Sequence, residues 1–316
     1  MVRSMLFLVS AIVVVGAALV ASQRTSPSVR DVCLSQDSPN QHATSYPDFI
    51  SGNLNGTLLI IPIPLDAARQ VIPKEYGIVE GAYRALLPSF PRGMYPMMAQ
   101  IVHDHDLQIA SYNISVEDFS VRIMTYFVYS CTSPDSPTRV QRAAFEFPFI
   151  DLLGDGHSSF RWAGTSIITA LNPSAIEGSE GYGVTVHPGV FDPPCDPYRS
   201  LPNGTMYSHA QSSSSTGDIF MTIASWTSLD TIPYPMDFIQ NITTQPVFAD
   251  PQLCDNYLRL YNTTLTTGET APVPVRGTVT AKLEPFADTR VWQGVYGWRL
   301  ATPFLEPLAP SECKAS

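Results

Sequence analysis

Lysine is scarce in this chain of 316 residues, which contains only Lys74, Lys282 and Lys314. An amine nucleophile needs dry surroundings that lower its pKa. Lys74 follows a proline that ends a predicted helix, and Lys314 lies in the C-terminal tail, so neither position predicts such surroundings. Lys282 lies in a strand-like segment, where a solvent-facing lysine is the preferred interpretation. Covalent catalysis by lysine is therefore disfavoured.

The motifs of several enzyme classes are absent as well. The chain has no Gly-x-Ser-x-Gly elbow, no Walker loop, no dinucleotide fingerprint and no His-Glu-x-x-His motif. It also lacks Cys-x-x-Cys, which removes the usual zinc and dithiol redox sites. A formal net charge of −10 repels phosphate backbones. We therefore expect no cofactor, no metal and no nucleic-acid partner, and the oligomeric state stays open.

The composition favours a β-rich fold. The 28 prolines and 14 tyrosines accompany many short apolar runs, which Pro, Gly, Asn and Ser separate. This pattern is typical of strands joined by long loops. No repeat of fixed period is visible, which disfavours a propeller or a solenoid. We expect a single domain over residues 51–316, preceded by an extended segment at 23–50.

Residues 1–22 have the parts of a secretory signal peptide. Arg3 precedes a largely apolar run from Met5 to Val20, and small residues follow. An uncleaved anchor stays open as the alternative, and only that anchor would contact a membrane. Five Asn-x-Ser/Thr sequons agree with a secreted or lumenal glycoprotein, at Asn55, Asn113, Asn203, Asn241 and Asn262.

The five cysteines fit the same oxidising route. Cys33 and Cys313 flank the predicted domain, and because domain ends are often close together, we predict a disulfide between them. Cys195 and Cys254 lie in polar, proline-rich segments and are predicted to form a second disulfide. Cys131 ends a strand-like segment, and a buried free thiol is preferred to a nucleophile there because no histidine is near it in the sequence.

One region has the order of elements of a known family. Residues 58–73 indicate an apolar strand that runs into a short helix ending at Pro73. A second apolar strand, 97–102, leads to His103-Asp104. This order resembles the N-terminal half of acetoacetate decarboxylase and its wider superfamily. The resemblance implies a mainly β (α+β) fold, with an antiparallel β-barrel and short flanking helices, and the secretion signal and sequons resemble those of fungal members.

The chain departs from that family where the family's chemistry resides. The family nucleophile is a lysine that forms an imine with a β-keto acid and follows a proline. Pro148 matches that proline, but Phe149 and Ile150 stand where the resemblance places lysines. The active-site arginine of the family falls at or near Pro62, and its acidic residue falls at Ala143. Imine chemistry is therefore not expected.

Arg142 is the polar residue that best survives this comparison. A guanidinium in a partly dry barrel holds a carboxylate or enolate through its planar fork, so Arg142 is predicted to be catalytic, together with Glu146 in the same pocket. The alternative for Arg142 is a structural role, as the partner of a loop carboxylate or the cap of a strand end. The strand at 121–131 alternates between two faces. One face carries Arg122, Met124 and Tyr126. If this face lines the interior of the barrel, these three residues are predicted to bind the substrate. If the opposite face lines the interior, the strand adds only an apolar wall.

His103-Asp104-His105-Asp106 is the one other polar cluster. Alternation places the two histidines on one face of the strand and the two aspartates on the other. His103 and His105 are candidates for acid–base catalysis. A hydrogen-bonding strand end and a metal site are the alternatives, and we predict no metal because a third ligand is missing.

Two classes of function remain. The first is a secreted or lumenal enzyme of specialised metabolism, of the lyase, isomerase or cyclase type, that acts on a polyketide-like or β-keto small molecule without a lysine imine. The second is a catalytically inactive barrel that serves as a secreted small-molecule-binding protein. A cavity with several convergent polar groups favours the enzyme, and an apolar interior favours the binding protein.

Overall fold

The computed structural model of the protein describes residues 40–109, 112–113, 140–215, 218–228 and 231–314. The predicted signal peptide, Cys33 and Cys131 lie outside these residues. The same holds for the strand predicted at 121–131, with its candidate ligand-binding residues Arg122, Met124 and Tyr126. Those predictions are untested.

The first strand, β1 (Phe49–Pro64), is buried over almost its whole length. Residues 58–61 lie within it, as the apolar run predicts, and have no exposed surface. The helix that follows, α1 (Leu65–Val71), ends before Pro73, which agrees with the prediction from the proline. β1 pairs on one side with β3 (Met94–Ile109) and on the other with β16 (Arg290–Pro307), so both of its edges are occupied.

Nine strands close into a mixed β-barrel, which confirms the predicted mainly β barrel with short helices. Every neighbouring pair is antiparallel except β7 and β8, which are parallel, so the prediction of a wholly antiparallel barrel is corrected. The connection between them contains a helix, as a parallel pair requires a crossover. In order around the barrel the strands are β1, β3 (Met94–Ile109), β5 (Val140–Asp151), β7 (Thr165–Thr169), β8 (Thr185–Asp192), β10 (Met206–Ser212), β11 (Phe220–Thr227), β15 (Val273–Lys282) and β16 (Arg290–Pro307).

A second, small sheet covers part of the barrel, and β5 belongs to both sheets. Its other strands are β2 (Gly77–Ile78), β6 (Phe160–Trp162), β12 (Val247–Phe248), β13 (Leu253–Asp255) and β17 (Ser311–Glu312). The remaining elements are β4 (Tyr112–Asn113), β9 (Arg199–Ser200), β14 (Leu258–Arg259), α2 (Glu80–Leu86), α3 (Pro173–Glu180), α4 (Met236–Thr243) and two 3-10 turns at Thr264–Thr266 and Gly268–Thr270. None of the helices in the described ranges has the length and apolar character that a membrane span requires.

Alternation along the strands separates a face toward the barrel lumen from an outer face. On β15, Val275 is buried and Arg276 is exposed, so Val275 points into the lumen. Direct cross-strand partners share a face, and Val275 lies opposite Gly297, which lies opposite Leu59 on β1. The same row continues across β3 and β5 through Ala99 and Phe145. Residues next to this row therefore lie on the outer face.

The structure corrects the predicted disulfide pairing, because Cys254 bonds to Cys313. Antiparallel pairing of β13 with β17 places these two residues on adjacent strands, with Cα atoms 5.0 Å apart. Both predicted pairs, Cys33–Cys313 and Cys195–Cys254, are therefore wrong. Cys195 is also disulfide-bonded. Proximity of chain ends was the wrong criterion, because the bridge is made across the small sheet.

The sequons differ in accessibility. Asn203 and Asn262 are exposed, as a glycan acceptor must be, whereas Asn241 is only partly exposed on α4. Asn55 is buried in the middle of β1, in the lumen-facing row, so the prediction of a glycan there is corrected. The side-chain environment of Asn113 lies outside the described part of the chain.

Loss of the Cys254–Cys313 disulfide should destabilise the protein strongly. The two residues are 59 positions apart, and a loop of that length corresponds to about 4 kcal/mol in the chain-entropy treatment. We expect the Cys254→Ala, Cys313→Ala double variant to lose about that much free energy of unfolding in urea denaturation. Non-reducing peptide mapping of the wild type should recover the linked peptides, and a Cys195–Cys254 peptide would contradict the assignment.

Candidate functional site

Strands β3 and β5 place a row of polar side chains on the outer face of the barrel. Gln100 lies opposite Ala144, Met98 opposite Glu146 and Val102 opposite Arg142, so Gln100, Arg142 and Glu146 share one face. These side chains are not in solvent, because the small sheet lies over them. Gln100 and Glu146 are buried, and the Arg142 side chain is 21% exposed.

The covering layer contributes charge of its own. Arg161 comes from β6, Asp255 ends β13, and Tyr257 and Arg259 come from the segment around β14. All four are buried. β6 reaches this position by parallel pairing with β12, which joins segments more than 80 residues apart in the sequence. Together with the outer face of β3 and β5 these residues enclose a cavity, here called the charged cavity, with a free volume of ≈ 30 Å³.

Two ion pairs involve residues that line the charged cavity. Arg142 Nε lies 2.9 Å from Asp104 Oδ2, and Arg161 Nη1 donates to Glu146 Oε2 at 2.7 Å. Gln100 links the second pair to the third guanidinium. Its amide donates to Glu146 Oε1, and its carbonyl oxygen accepts from Arg259 Nη2 at 3.0 Å.

Tyr257 contacts two of the guanidiniums. The Arg142 guanidinium carbon is 5.7 Å from the centre of the Tyr257 ring and that of Arg259 is 5.6 Å from it, which are cation–π distances. The same ring contacts Phe304 at 5.2 Å between centroids. Tyr257 therefore packs against both charged and apolar side chains.

Burial changes the protonation of the nearby carboxyls. Burial raises the pKa of Asp255 to about 6, although Arg142 and Arg161 oppose the rise. Burial and the neighbouring Asp255 raise the pKa of Glu306 to about 8. Burial also raises the pKa of Asp104 despite its ion pair with Arg142. At neutral pH this site therefore holds three permanent cations, and of the carboxyls beside them Glu306 still binds a proton, whereas Asp255 is mostly ionised.

The predicted catalytic residues divide between two faces of the barrel wall. Arg142 and Glu146 both line the charged cavity. His103 and His105 share one face, with ring centroids 5.4 Å apart, as alternation predicts. Their row is the lumen row, since His103 lies opposite Asn55 and Gln141. The structure thus separates the histidines from Arg142 and Glu146, and the catalytic roles of all four stay predictions.

Sequence reasoning missed most of the charged cavity. It did not single out Asp104, which alternation had placed opposite the histidines, or the residues of the covering layer. Arg161, Asp255 and Arg259 lie in strands of two or three residues. Such strands are too short to show a periodicity, so no local signal marks these residues. Among the described residues, no group of His, Cys, Asp and Glu side chains could hold a metal ion.

A larger cleft opens at one end of the barrel, where β1 ends and β16 begins. Its volume is ≈ 560 Å³, within the usual range for small-molecule sites. Its walls are mainly apolar, with four aromatic side chains among the fourteen lining residues, and none of these residues is charged. We call it the rim cleft, and its lining is Ile61, Pro62, Leu87, Ser89, Phe90, Pro91, Pro233, Tyr234 and residues 291–296.

Aromatic rings occupy the position that the resemblance gives to the lysine nucleophile. Phe149 has no exposed surface and adopts φ 61°, which is rare for a bulky residue. Its ring packs on Tyr83 and Phe238, and both of these contact Phe90 at the rim cleft. The three lysines of the chain lie elsewhere. Lys74 is exposed, Lys314 is 73% exposed, and Lys282 is 38% exposed beside Asp218.

No protein-family model matches this chain. No curated protein matches it either. Similar solved structures include an acetoacetate decarboxylase-like enzyme from Sphingomonas wittichii RW1, with a TM-score of 0.43, 8% sequence identity, 85% of this chain covered and 94% of that one. They also include the enduracididine biosynthesis enzyme MppR complexed with pyruvate, with a TM-score of 0.39, 10% identity, and 93% and 97% covered. The first of these belongs to the family that the sequence resembles.

Removal of one partner from the Arg161–Glu146 pair should be costly. Arg161→Ala leaves the Glu146 carboxylate buried without its cation, and we expect a loss of about 3–5 kcal/mol in free energy of unfolding. Arg199→Ala is the matched control, because its pair with Asp192 spans 3.0 Å with both side chains about half exposed. That control should lose about 1 kcal/mol or less. Equal losses in urea denaturation would show that the Arg161 pair is not isolated from solvent.

The raised carboxyl pKa values predict how stability changes with pH. Carboxyl groups in an unfolded chain have a pKa near 4. In the folded protein the pKa is about 8 for Glu306 and about 6 for Asp255. The folded state then binds more protons than the unfolded state, so the contribution of these two groups to stability falls as pH rises from about 4 through about 8. Urea denaturation between pH 5 and 8.5 should show a smaller fall for Glu306→Gln. The exposed control Glu312→Gln should keep the wild-type slope, and an identical slope in both variants would contradict the assignment.

Proposed function

We propose that the protein acts on an uncharged polyketide-like or β-keto small molecule held in the rim cleft, without a lysine imine. One observation carries this proposal, namely a cleft of ≈ 560 Å³ with mainly apolar walls, four aromatic rings among them and no charged lining residue. A flat, apolar molecule with carbonyl oxygens matches such walls, because aromatic faces bury its body and a few polar groups orient it.

The polar groups of the rim cleft suit a carbonyl or an enol. Burial, together with the neighbouring Tyr296, raises the pKa of Tyr234 to about 12, so its hydroxyl stays protonated and able to donate. A hydroxyl that donates to a carbonyl oxygen favours the enolate that develops when an adjacent proton passes to solvent water in the open cleft. A lyase, isomerase or cyclase reaction of a β-keto compound passes through such an enolate. Tyr234 is the candidate for this role.

The distribution of lysine supports the proposal that no imine is involved. A Schiff-base lysine must be dry enough to lose its proton at neutral pH. Lys74, Lys282 and Lys314 are all at least partly exposed, and none lines the rim cleft. Phe149, at the position that the resemblance gives to the nucleophile, adds only an apolar ring.

We further propose that the protein works in the secretory lumen or outside the cell. The Cys254–Cys313 disulfide is typical of proteins that mature in an oxidising compartment. The exposed sequons at Asn203 and Asn262 and the signal-like residues 1–22 support the same route. Cleavage of that segment, and therefore release from the membrane, belongs to the proposal.

The second candidate function is a secreted binding protein without catalysis. It is favoured by the absence of acidic, basic and histidine side chains from the residues that line the rim cleft. Such a lining binds an apolar ligand well and leaves only the tyrosines for proton transfer. The two functions share one binding site, so a single set of variants tests both.

Ligand binding at the rim cleft should be blocked by one charge. We expect dibenzoylmethane, a flat aromatic β-diketone, to quench tryptophan fluorescence saturably because Trp292 lines the cleft. Val291→Arg should raise the Kd at least about tenfold, since a guanidinium would enter the apolar walls. Val190→Arg is the control, because Val190 is exposed on β8 to a similar extent as Val291 (60% and 54%).

The same variants separate the enzyme from the binding protein. A deletion strain complemented with Tyr234→Phe should accumulate the substrate if the protein is an enzyme, and should keep the wild-type metabolite profile if it only binds. Borohydride treatment with acetoacetate should add no mass to the intact protein. Equal quenching in wild type and Val291→Arg, or a borohydride adduct on Lys282, would contradict the proposal.

A further inference from the structure

The charged cavity is separate from the rim cleft and calls for its own explanation. Its polar residues on β3 and β5 lie on the outer face of the barrel, whereas the rim cleft includes lumen-facing Ile61, and the two linings share no residue. A water-sized group needs about 10–15 Å³ by the same measure. The free volume of ≈ 30 Å³ therefore accepts two or three such groups, which is the size of a carboxylate head group.

Five buried donor atoms of residues that line this cavity have no hydrogen-bond acceptor among the described residues. One of them, Nε of Arg142, is held in the ion pair with Asp104. The other four are Nε and Nη1 of Arg259, Nε of Arg161 and the hydroxyl of Tyr257. The three residues are 3%, 1% and 4% exposed. Buried donors are almost always paired with protein, water or an ion, so several of them around one void indicate an acceptor that fills it.

The guanidiniums are not equally compensated. Arg142 pairs with Asp104 and Arg161 pairs with Glu146. Arg259 donates only to the neutral amide of Gln100 within the described residues. A buried cation without a counter-ion is costly, and a bound anion supplies the missing charge.

We propose that the charged cavity binds a small monoanion of the carboxylate class, held by Arg259, Arg161 and Tyr257, and that the anion enters together with a proton. The planar forks of two arginines suit the two oxygens of a carboxylate, and the tyrosine hydroxyl donates a further hydrogen bond. The three guanidiniums outnumber the two carboxyl groups among the residues that line the cavity, which disfavours a divalent cation.

The accompanying proton goes to the carboxyl groups beside the cavity. An anion raises the proton affinity of every carboxyl near it. Glu306 and Asp255 are the groups that change protonation between about pH 8 and about pH 6. The charged and titratable groups that face them are Asp104, Arg142, Glu146, Arg161 and Tyr182. By linkage, the affinity for the anion increases as pH falls through this range.

Acetate is the probe, titrated calorimetrically into the disulfide-intact protein at pH 5.5 and pH 8.5 and at constant chloride. We expect saturable binding that is about fourfold or more tighter at pH 5.5, because a group of pKa about 8 is about three-quarters ionised at pH 8.5. Near pH 7, heats in two amine buffers of different ionisation enthalpy should show proton uptake with acetate. Acetamide, which has the same shape and no charge, should not bind.

Variants locate the site. Tyr257→Phe keeps the ring that contacts the two arginines and removes only the hydroxyl, so it should weaken acetate binding, whereas Tyr46→Phe, at an exposed tyrosine, should not. Val291→Arg should bind acetate like the wild type, because it blocks only the rim cleft. The proposal is overturned by absent binding at pH 5.5, by equal affinity at both pH values, or by full affinity in Tyr257→Phe. The pH comparison uses the wild type, so a variant that fails to fold leaves the proposal testable.

Discussion

Closure of the barrel through β1 is the constraint on which the rest of the structure depends. β1 contacts β3 on one edge and β16 on the other, and this approach leaves no room for side chains at certain positions. A Cβ at Gly297 would lie 1.9 Å from the carbonyl oxygen of Leu58, and one at Gly56 would lie 2.6 Å from that of Ile101. Because the wall is covered on both sides, alternate residues of β3 and β5 enter two different dry environments. The lumen takes Phe145 and the histidines, and the space under the small sheet takes the charged residues.

How far the fold can be predicted follows from the range of the interactions. The strand at 58–61, the short helix before Pro73 and the common face of His103 and His105 depend on neighbours in the chain, and all three are confirmed. The disulfide partners were wrong because pairing of β13 with β17 depends on contacts between segments far apart. The short strands that cover the charged cavity could not be predicted from the sequence for the same reason. The closed barrel also decides which face of β5 points into the lumen. The position of Arg142 on the outer face therefore could not be predicted from the sequence.

The two cavities divide chemistry that a single active site normally combines. At the rim cleft, aromatic rings replace charge, so binding there relies on apolar area and on neutral hydroxyl groups. Under the small sheet, guanidiniums and protonated carboxyls share a volume too small for a whole substrate. A ligand in the rim cleft would therefore not contact Arg142. Arg142, which best matches the lysine-dependent family, lines the charged cavity. Phe149, which stands where that family has its lysine, packs instead among aromatic rings near the rim cleft.

The Cys254–Cys313 bridge has a consequence for the order of assembly during synthesis. Cys313 is made nearly 60 residues after Cys254, and β16, which completes the barrel beside β1, is made only shortly before it. The first strand therefore emerges from the ribosome long before its second neighbour exists, with one apolar edge available for wrong pairing. The small sheet can be locked only after the barrel strands have all been translated. Nascent chains thus depend on protection of the free edge of β1 until β16 is complete and the disulfide forms across the small sheet.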